Sequence, residues 1–397
     1  MTKVNLLEAS LSAADTLLLA EIALAAEQRV LLWGGGDGRL AVALAEVVGN
    51  HNLLVVESDY VAQQAAAVTY RASKLEIASV PPSYFYNDDP PLDSPDATHR
   101  LRDAEGSLPS FDLAILHTAN QPSHKALAGE IGNAGRWLGD GGRLYVVGAR
   151  DEGIEAAGRL LTEIFQNSRL VAYKRGQRLY SALKDAGRYQ FQPPVLEADL
   201  SNGRAELAPR MRPLTIRGQE ITLYEGEGIF NRGLLDPASI MLAEAMQIPA
   251  GASVLDLGCG GGGLAILAAK LGAARLYLVD SNDYAVSRAR FNLSQNGIAE
   301  AQLHWGDGAN QPLPKGGGFD VVLTNPPFHQ GHEQTTATGL RFIATAARLL
   351  KPEGSLYLVA SRFIKYEPTM RQHLASVSEV AGDGKFKVLL GRKSGAG

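Results

Sequence analysis

Asn325-Pro326-Pro327-Phe328 is the stretch of this chain whose residue types are suited to chemistry. It follows Phe319-Asp320-Val321-Val322-Leu323-Thr324, an apolar, β-branched run that reads as a buried strand, and the two prolines stop its ladder pairing. A polar amide therefore stands at the carboxyl end of a strand, the edge at which open α/β sheets bind ligands. Pro326 drives Asn325 into an extended conformation and neither proline has an N–H. The turn thus offers acceptors: the Asn side-chain oxygen and a backbone carbonyl. Two converging acceptors suit an amino group with two hydrogens to give. Held that way, a planar exocyclic amine turns its nitrogen lone pair toward an electrophile, and Phe328 offers a face for the attached ring.

A second constellation precedes it. Asp256-Leu257-Gly258-Cys259-Gly260 lies where the strand Val254 to Leu257 gives way to a helical run, LAILAAKLG. Glycines at a strand-to-helix turn let a ligand approach the backbone where a helix begins. Asp280 closes the next strand, Leu276 to Val279, 22 residues beyond Gly258, and a carboxylate there can accept both hydroxyls of a ribose. These features fit NAD as well as S-adenosylmethionine. Two others separate them: hydride transfer has no use for Asn325 to Phe328, and Asp256 is poorly placed for a pyrophosphate but well placed for a cationic methionine moiety. Asp307, in Trp305-Gly306-Asp307 just before the motif strand, is a candidate acceptor for an adenine amino group.

The elements that must position these residues are written twice. Residues 11 to 29 read as an amphipathic helix and Val30 to Trp33 as a buried strand, followed by Gly34-Gly35-Gly36-Asp37-Gly38, a helical run, the strand Leu53 to Val56 and Glu57. Phe111-Asp112 opens a strand that runs into His117, and the Gly139 to Gly142 turn precedes a strand from Arg143 to Val147. Phe319-Asp320 answers Phe111-Asp112, and Lys351-Pro352-Glu353-Gly354 answers the Gly139 turn. The glycine loops, at Gly34 and Gly258, lie 224 residues apart and the Phe-Asp strands, at Phe111 and Phe319, 208 apart, so the copies differ in loop length. This is a tandem duplication of one α/β unit, each unit a doubly wound, mainly parallel sheet. Gln192 to Arg217, with four prolines among charges, reads as the linker. The boundary falls at Asp199-Leu200, giving domains 1 to 198 and 199 to 397.

Composition bounds the function. At 397 residues and 45% apolar the chain suits a two-domain globular protein, and no run approaches the ~18 apolar residues of a membrane span. Its start lacks the layout of a secretory signal, so the expectation is a cytoplasmic protein without a membrane partner. A single cysteine, Cys259, excludes an internal disulfide and a cysteine zinc cluster, and no metal is expected. A net charge of −4 is not that of a non-specific nucleic-acid coat, which leaves local patches: Arg204, Arg210, Arg212 and Arg217 against Glu206, and Lys385, Lys387, Arg392 and Lys393 after Asp383.

DLGCGGG, the acidic strand end and NPPFH resemble the class I S-adenosylmethionine-dependent methyltransferases that modify amino nitrogens. The form NPPFH, with Gly228-Ile229-Phe230 and Leu235-Asp236-Pro237-Ala238-Ser239 before it and Phe363-Ile364-Lys365-Tyr366 after it, is similar to the ribosomal RNA guanine-N2 methyltransferases of the RsmC type. The resemblance covers about residues 220 to 390. It implies two tandem Rossmann-like methyltransferase domains, an inactive first copy that positions RNA and an active second copy. It also implies S-adenosyl-L-methionine as cofactor, and ribosomal RNA or a ribosomal subunit as partner, 16S rather than 23S, with a monomer assumed. By this likeness Asp256, Gly258, Gly260, Asp280 and Asp307 bind cofactor, and Asn325, Pro326, Pro327 and Phe328 hold the target base. Phe230 and Asp236 face the cofactor or the guanine, and His329 is a possible further member. The first copy departs from the pattern: Leu32 replaces Asp256, His117-Thr118-Ala119-Asn120 replaces Asn325 to Phe328, and Asp37 charges the glycine loop, while Glu57 keeps the ribose-type acid. Adenine-N6 and glutamine-amide methyltransferases remain alternatives within the same chemistry. An NAD-dependent oxidoreductase and a non-catalytic RNA-binding factor are the alternatives outside it.

Overall fold

The computed structural model describes residues 11–82, 110–119, 124–191, 210–226, 229–309, 318–327 and 332–395. The chain divides into two compact units, Met1–Ala208 and Pro209–Gly397. The boundary expected at Asp199-Leu200 lies outside the described residues.

The first unit runs α1 (Ala13–Glu21), β1 (Val30–Trp33), α2 (Arg39–Val48), β2 (Leu53–Val56), α3 (Tyr60–Ala72), β3 (Ala78–Val80), β4 (Phe111–His117), α4 (His124–Arg136), β5 (Leu138–Ala149), α5 (Ile154–Phe165), β6 (Arg169–Lys174) and β7 (Gln177–Leu183). The second begins with a hairpin, β8 (Met211–Ile216) and β9 (Gln219–Tyr224). It continues as α6 (Pro237–Ala245), β10 (Ser253–Leu257), α7 (Gly263–Lys270), β11 (Arg275–Asp280), α8 (Asp283–Gln295), β12 (Ala301–Trp305), β13 (Phe319–Thr324), α9 (His332–Leu349), β14 (Leu350–Ser361), α10 (Glu367–His373), β15 (Ser376–Gly382) and β16 (Phe386–Arg392). The sheet orders are β3-β2-β1-β4-β5-β7-β6 and β12-β11-β10-β13-β14-β16-β15, one topology in two copies. The first five strands of each sheet pair in parallel and the last two antiparallel. Each sheet carries an apolar core on both faces, as expected where helices cover both sides of a parallel sheet.

The repeated Phe-Asp pair has a structural cause. Phe111 and Phe319 are buried, and the aspartates staple the start of the central strand: Asp112 accepts from the Arg29 amide at 2.9 Å and Asp320 from the Ser253 amide at 2.8 Å. Lys351 Nζ also donates to both Asp320 oxygens, at 2.9 and 2.8 Å. The glycine turns that match between the copies lie inside the long strands β5 and β14, where the register shifts next to Phe111 and Phe319.

Two expectations are corrected. The helix read over residues 11 to 29 stops at Glu21, where Ile22 turns extended (φ −92°, ψ 138°) and packs into the core of one sheet face. The linker read through to Arg217 contains β8. Arg217 and Gly218 both take positive φ, 52° and 73°, the turn that joins two strands by two residues, so a proline-bearing segment becomes half of a hairpin. That hairpin hangs on α8: the Thr222 and Tyr224 amides donate to Asn296 and Asn292 at 2.9 and 3.0 Å.

Removal of the strand staple should cost more than removal of its ion pair. Asp320→Ala is expected to lower stability by about 1–2 kcal/mol because a backbone amide loses a charged acceptor. Lys351→Ala is expected to cost less, since a half-exposed ion pair contributes at most about 1 kcal/mol. Urea unfolding of both variants measures the difference, and equal losses would assign the effect to the ion pair.

Candidate active site

The site assembles where β10, β11 and β13 end side by side. Gly258 and Cys259 donate to the Val279 carbonyl at 2.8 and 3.0 Å, and Gly262 donates back to Cys259 at 2.9 Å, folding the loop over the sheet edge into α7. This path needs positive φ at Gly258, Gly260 and Gly262, 78°, 52° and 79°, which a side chain would strain. At Gly261 the constraint is contact: a Cβ there would stand 2.0 Å from the Gly233 carbonyl oxygen. The segment before α6 thus lies directly on the loop.

Asp280 ties the loop down. Its carboxylate accepts from the Gly260 amide at 2.8 Å and the Asn282 amide at 2.9 Å. A carboxylate accepts hydrogen bonds and donates none, the chemistry that ribose hydroxyls ask of a partner. Asp307 accepts from the Ala309 amide at 2.9 Å beyond β12, and Gly306 donates to the Asp280 carbonyl at 2.9 Å, so these two acids stand on neighbouring strand ends.

Thr324 Oγ1 donates to the Leu257 carbonyl at 2.7 Å, locking the ends of β10 and β13 together and setting Asn325 beside the glycine loop. Asn325 Nδ2 donates to Asp236 Oδ1 at 3.1 Å and to Ser239 Oγ at 2.8 Å. Asp236 in turn caps α6, accepting from the Ser239 amide at 2.7 Å. A carboxylate only accepts, so it selects the nitrogen of the Asn325 amide and turns the oxygen the other way. That oxygen, Oδ1, is buried without a partner among the described residues. Pro326 is buried and Pro327 exposed, while Phe328 and His329 lie outside the described residues.

Three further expected site residues stand in different surroundings. Asp236, expected to face cofactor or guanine, accepts from the Asn325 amide nitrogen. Asp256, expected to meet a cationic methionine moiety, is 1% exposed and accepts from the Ala265 amide of α7 at 3.2 Å, beneath the loop rather than on its surface. Phe230, by contrast, stands 61% exposed in the turn before α6. Sequence reasoning gave no role to Ser239 or Thr324. Asp236-Pro237-Ala238-Ser239 carries a helix-start signature, which locates the cap but not the distant amide it holds.

Burial pushes the Asp256 carboxyl up to about 7, and the Asp280 charge adds to this against the Ala265 hydrogen bond. Burial likewise raises the Cys259 thiol, helped by Asp280 and Asp256, which keeps it protonated and inert as a nucleophile.

The first unit repeats this frame with different end groups. Gly34, Gly36 and Gly38 take φ of 81°, 56° and 84°, and the Gly36 amide donates to Glu57 at 3.1 Å. At the position of Asn325 stands His117, with Nε2 3.0 Å from Asp15. Ser12 caps α1 and Asp15 is its third residue, so the acid and hydroxyl that hold Asn325 in the second unit occur here in exchanged positions. Burial tends to raise the Asp15 carboxyl, but hydrogen bonding and charge from His117, with Ser12, lower it overall. Leu32, at the position of Asp256, is fully buried, so this change alters what lies under the loop rather than its ligand face.

The Asp256 carboxyl gives a stability signature. Its folded-state value of about 7 exceeds the ~3.9 of an unfolded chain, so the unfolded chain ionises first as pH rises. Stability should therefore fall between about pH 4 and 7, by an amount of the order of a few kcal/mol, and level off above. Asp256→Asn keeps an acceptor for Ala265 and removes the ionisation, so its stability relative to wild type should rise through that window. Chemical denaturation at pH 5 and 8 measures the change, and an equal difference at both values would place the carboxyl's ionisation elsewhere.

Among the described residues, no helix is long and apolar enough to cross a membrane, and no cluster of His, Cys, Asp and Glu is arranged to hold a metal ion. Residues 220–390 match the family model of the methyltransferase small domain. The chain is 31% identical over 294 residues to the ribosomal RNA small subunit methyltransferase C of Shewanella loihica, spanning 72% of this chain and 79% of that protein. It is 34% identical over 259 residues to that of Pseudomonas aeruginosa, spanning 64% and 72%. Its fold is shared across 96% of its length, and 92% of the other chain, with the T. thermophilus 16S rRNA N2 G1207 methyltransferase solved with AdoMet and guanosine, at a TM-score of 0.71 and 24% identity. Since it is 31% identical to a relative of which it covers 79%, the chain belongs to the ribosomal RNA small subunit methyltransferase C family.

Proposed function

We propose that this chain transfers a methyl group from S-adenosylmethionine to the exocyclic N2 amine of a guanine in small-subunit ribosomal RNA. The observation that carries the reading is the Asn325 amide, whose nitrogen is held by Asp236 and Ser239 and whose oxygen is left as a buried acceptor beside the glycine loop. The relatives are named for ribosomal RNA methylation, and the T. thermophilus structure holds AdoMet and guanosine, ligands of the two classes these features suit.

The residues fit the cofactor. The left-handed glycines bare the backbone of Gly258 to Gly262, Asp280 sets a carboxylate beside that loop for a ribose, and Asp307 stands on the adjacent strand end for an adenine amine. S-adenosylmethionine supplies an electrophilic sulfonium methyl. The amine would gain that methyl as the sulfonium is released as a neutral thioether, and the proton it then sheds would pass to solvent, since an asparagine amide is no base. Asn325 Oδ1 accepts from the amine, orients its lone pair and stabilises the positive charge that grows on nitrogen. The proline carbonyl is the second acceptor and Phe328 the stacking face in this reading. Because N2 lies on the pairing edge, the guanine enters unpaired or flipped.

The second unit does the chemistry and the first positions RNA. His117 in place of Asn325 presents no amide oxygen, and Asp37 adds a charge to the glycine loop, where Arg39 pairs with it. The basic stretches of the second unit are largely engaged internally. Lys387 is buried against Glu367, Lys393 Nζ donates to the Leu350 carbonyl at 2.7 Å, and Arg212 holds Glu225 at 2.8 Å. Arg204 lies outside the described residues.

Asn325→Ala should leave S-adenosylhomocysteine affinity nearly unchanged and cut turnover on ribosomal RNA about ten- to a thousandfold, the range for a lost positioned hydrogen-bond partner. Asp280→Ala should weaken cofactor binding instead. Calorimetry and tritiated-methyl transfer to unmodified small subunits separate the two, and full turnover by Asn325→Ala would remove the amine-site assignment. Calorimetry of the whole chain should also give one S-adenosylhomocysteine per chain, whereas two would mean that the first unit binds cofactor as well.

A further inference from the structure

The two copies share a topology, so a surface feature present in one and missing from the other is not required by the fold. The edge hairpin β6–β7 is such a feature. Its residues 169 to 183 hold Arg169, Lys174, Arg175 and Arg178 and no acid. The equivalent hairpin, residues 376 to 392, holds Lys385, Lys387 and Arg392 with Glu379 and Asp383. There Lys387 is buried on Glu367, Glu379 takes Arg362 at 2.8 Å, and Asp383 closes the turn by accepting from the Lys385 and Phe386 amides at 2.7 Å each.

In the first unit the turn is two residues, Arg175 and Gly176, with φ of 51° and 82°, a tight geometry that projects Lys174 and Arg175 into solvent. Beside them Tyr173 is 62% exposed, and the Arg178 guanidinium lies over one face of its ring, 4.8 Å from the centroid. Glu155 restrains Arg178 at 3.0 Å from outside the hairpin, with Arg150 at 3.7 Å from the same oxygen. Cations on an edge strand have a bland use, the prevention of sheet-to-sheet aggregation. A register shift already interrupts both edge ladders, between Leu170 and Ala172 and between Glu379 and Ala381, and the outer strand of the second edge, Ser376–Gly382, does without any Lys or Arg.

We propose that the Tyr173, Lys174, Arg175 and Arg178 face of β6–β7 is a docking surface for single-stranded RNA of the substrate. One base stacks on the open face of Tyr173, backed by Arg178, and adjacent phosphates meet Lys174 and Arg175. An exposed aromatic ring among cations on a rigid strand pair is what such recognition needs, because every base has a face to stack and every nucleotide a charge. This rests on the ribosomal RNA reading and gives the first unit's role a location.

The test uses the full chain, a fluorescent single-stranded ribo-oligonucleotide and unmodified small subunits, with S-adenosylhomocysteine calorimetry as a check that the second unit is intact. Melting curves that match wild type check the first. Lys174→Glu with Arg175→Glu should weaken oligonucleotide binding at least about tenfold and shrink the log-log salt slope by about 1.4, two single-strand phosphate contacts. Tyr173→Ala should weaken it about five- to a hundredfold, the range for one stacked base, and Tyr173→Phe should restore it. The matching reversal on the other copy, Lys385→Glu, should leave binding within about twofold. Methyl transfer should fall in parallel through KM rather than kcat. Wild-type-like RNA affinity in the Tyr173 and Lys174/Arg175 variants overturns the proposal, as does a change confined to self-association, which would make the edge a protein contact. If wild type neither binds nor methylates the RNA, the underlying reading fails instead.

Discussion

A carboxylate accepts hydrogen bonds and donates none, and from this asymmetry in Asp236 the orientation of the candidate site follows. Asp236 caps α6 and, with the same oxygen, takes the Asn325 amide nitrogen. Ser239 holds that nitrogen from the first turn of the same helix. An unrestrained asparagine amide would present either end to a ligand. Clamped this way it presents its oxygen only, and an oxygen recognises amines. The direction of this amide therefore depends on a helix whose start is 89 residues from the motif it serves.

Around that clamp the unit is built by convergence of strand ends. Thr324 bonds the Leu257 carbonyl, Asp280 bonds the Gly260 amide, and Gly233 lies in contact with Gly261, so strand, loop and covering segment fix one another. Asp256 sits beneath, where burial holds its carboxyl near neutral pH and its acceptor meets the amino end of α7. Its place is that of a support. Leu32 in the other copy shows that the same loop path forms over an apolar residue.

Comparison of the copies separates what the fold requires from what each unit does with it. Both keep three left-handed glycines, an acid closing the loop, and an aspartate stapling the central strand. The cap clamp is also kept, with acid and hydroxyl exchanged, but it now holds His117. The end groups differ on an unchanged frame, and the edge hairpin of the first unit carries cations and no acid.

The alternation of apolar runs and glycine turns was enough to read the doubly wound fold and its duplication, because periodicity and turn chemistry are local properties of the chain. The same holds for the NPPF motif, the glycine loop and Asp280, whose residue types declare their use at fixed spacing. Local pattern failed where a distant partner decides. The first helix ends early because Ile22 turns extended and packs into the core under the sheet, and Pro213 sits in a strand because an Arg217-Gly218 turn folds β9 onto it. Asp256 and Asp236 were recognised as acids of the site, but which one supports a loop and which one aims an amide is set by what lies within about 3 Å in space, and those neighbours, Ala265, Ser239 and Asn325, are brought there by packing of α6 and α7 on the sheet. The sequence by itself determined the fold, the family and the residues available for chemistry. The tertiary structure alone decided their directions, because a hydrogen bond is a property of two groups and only folding chooses the second.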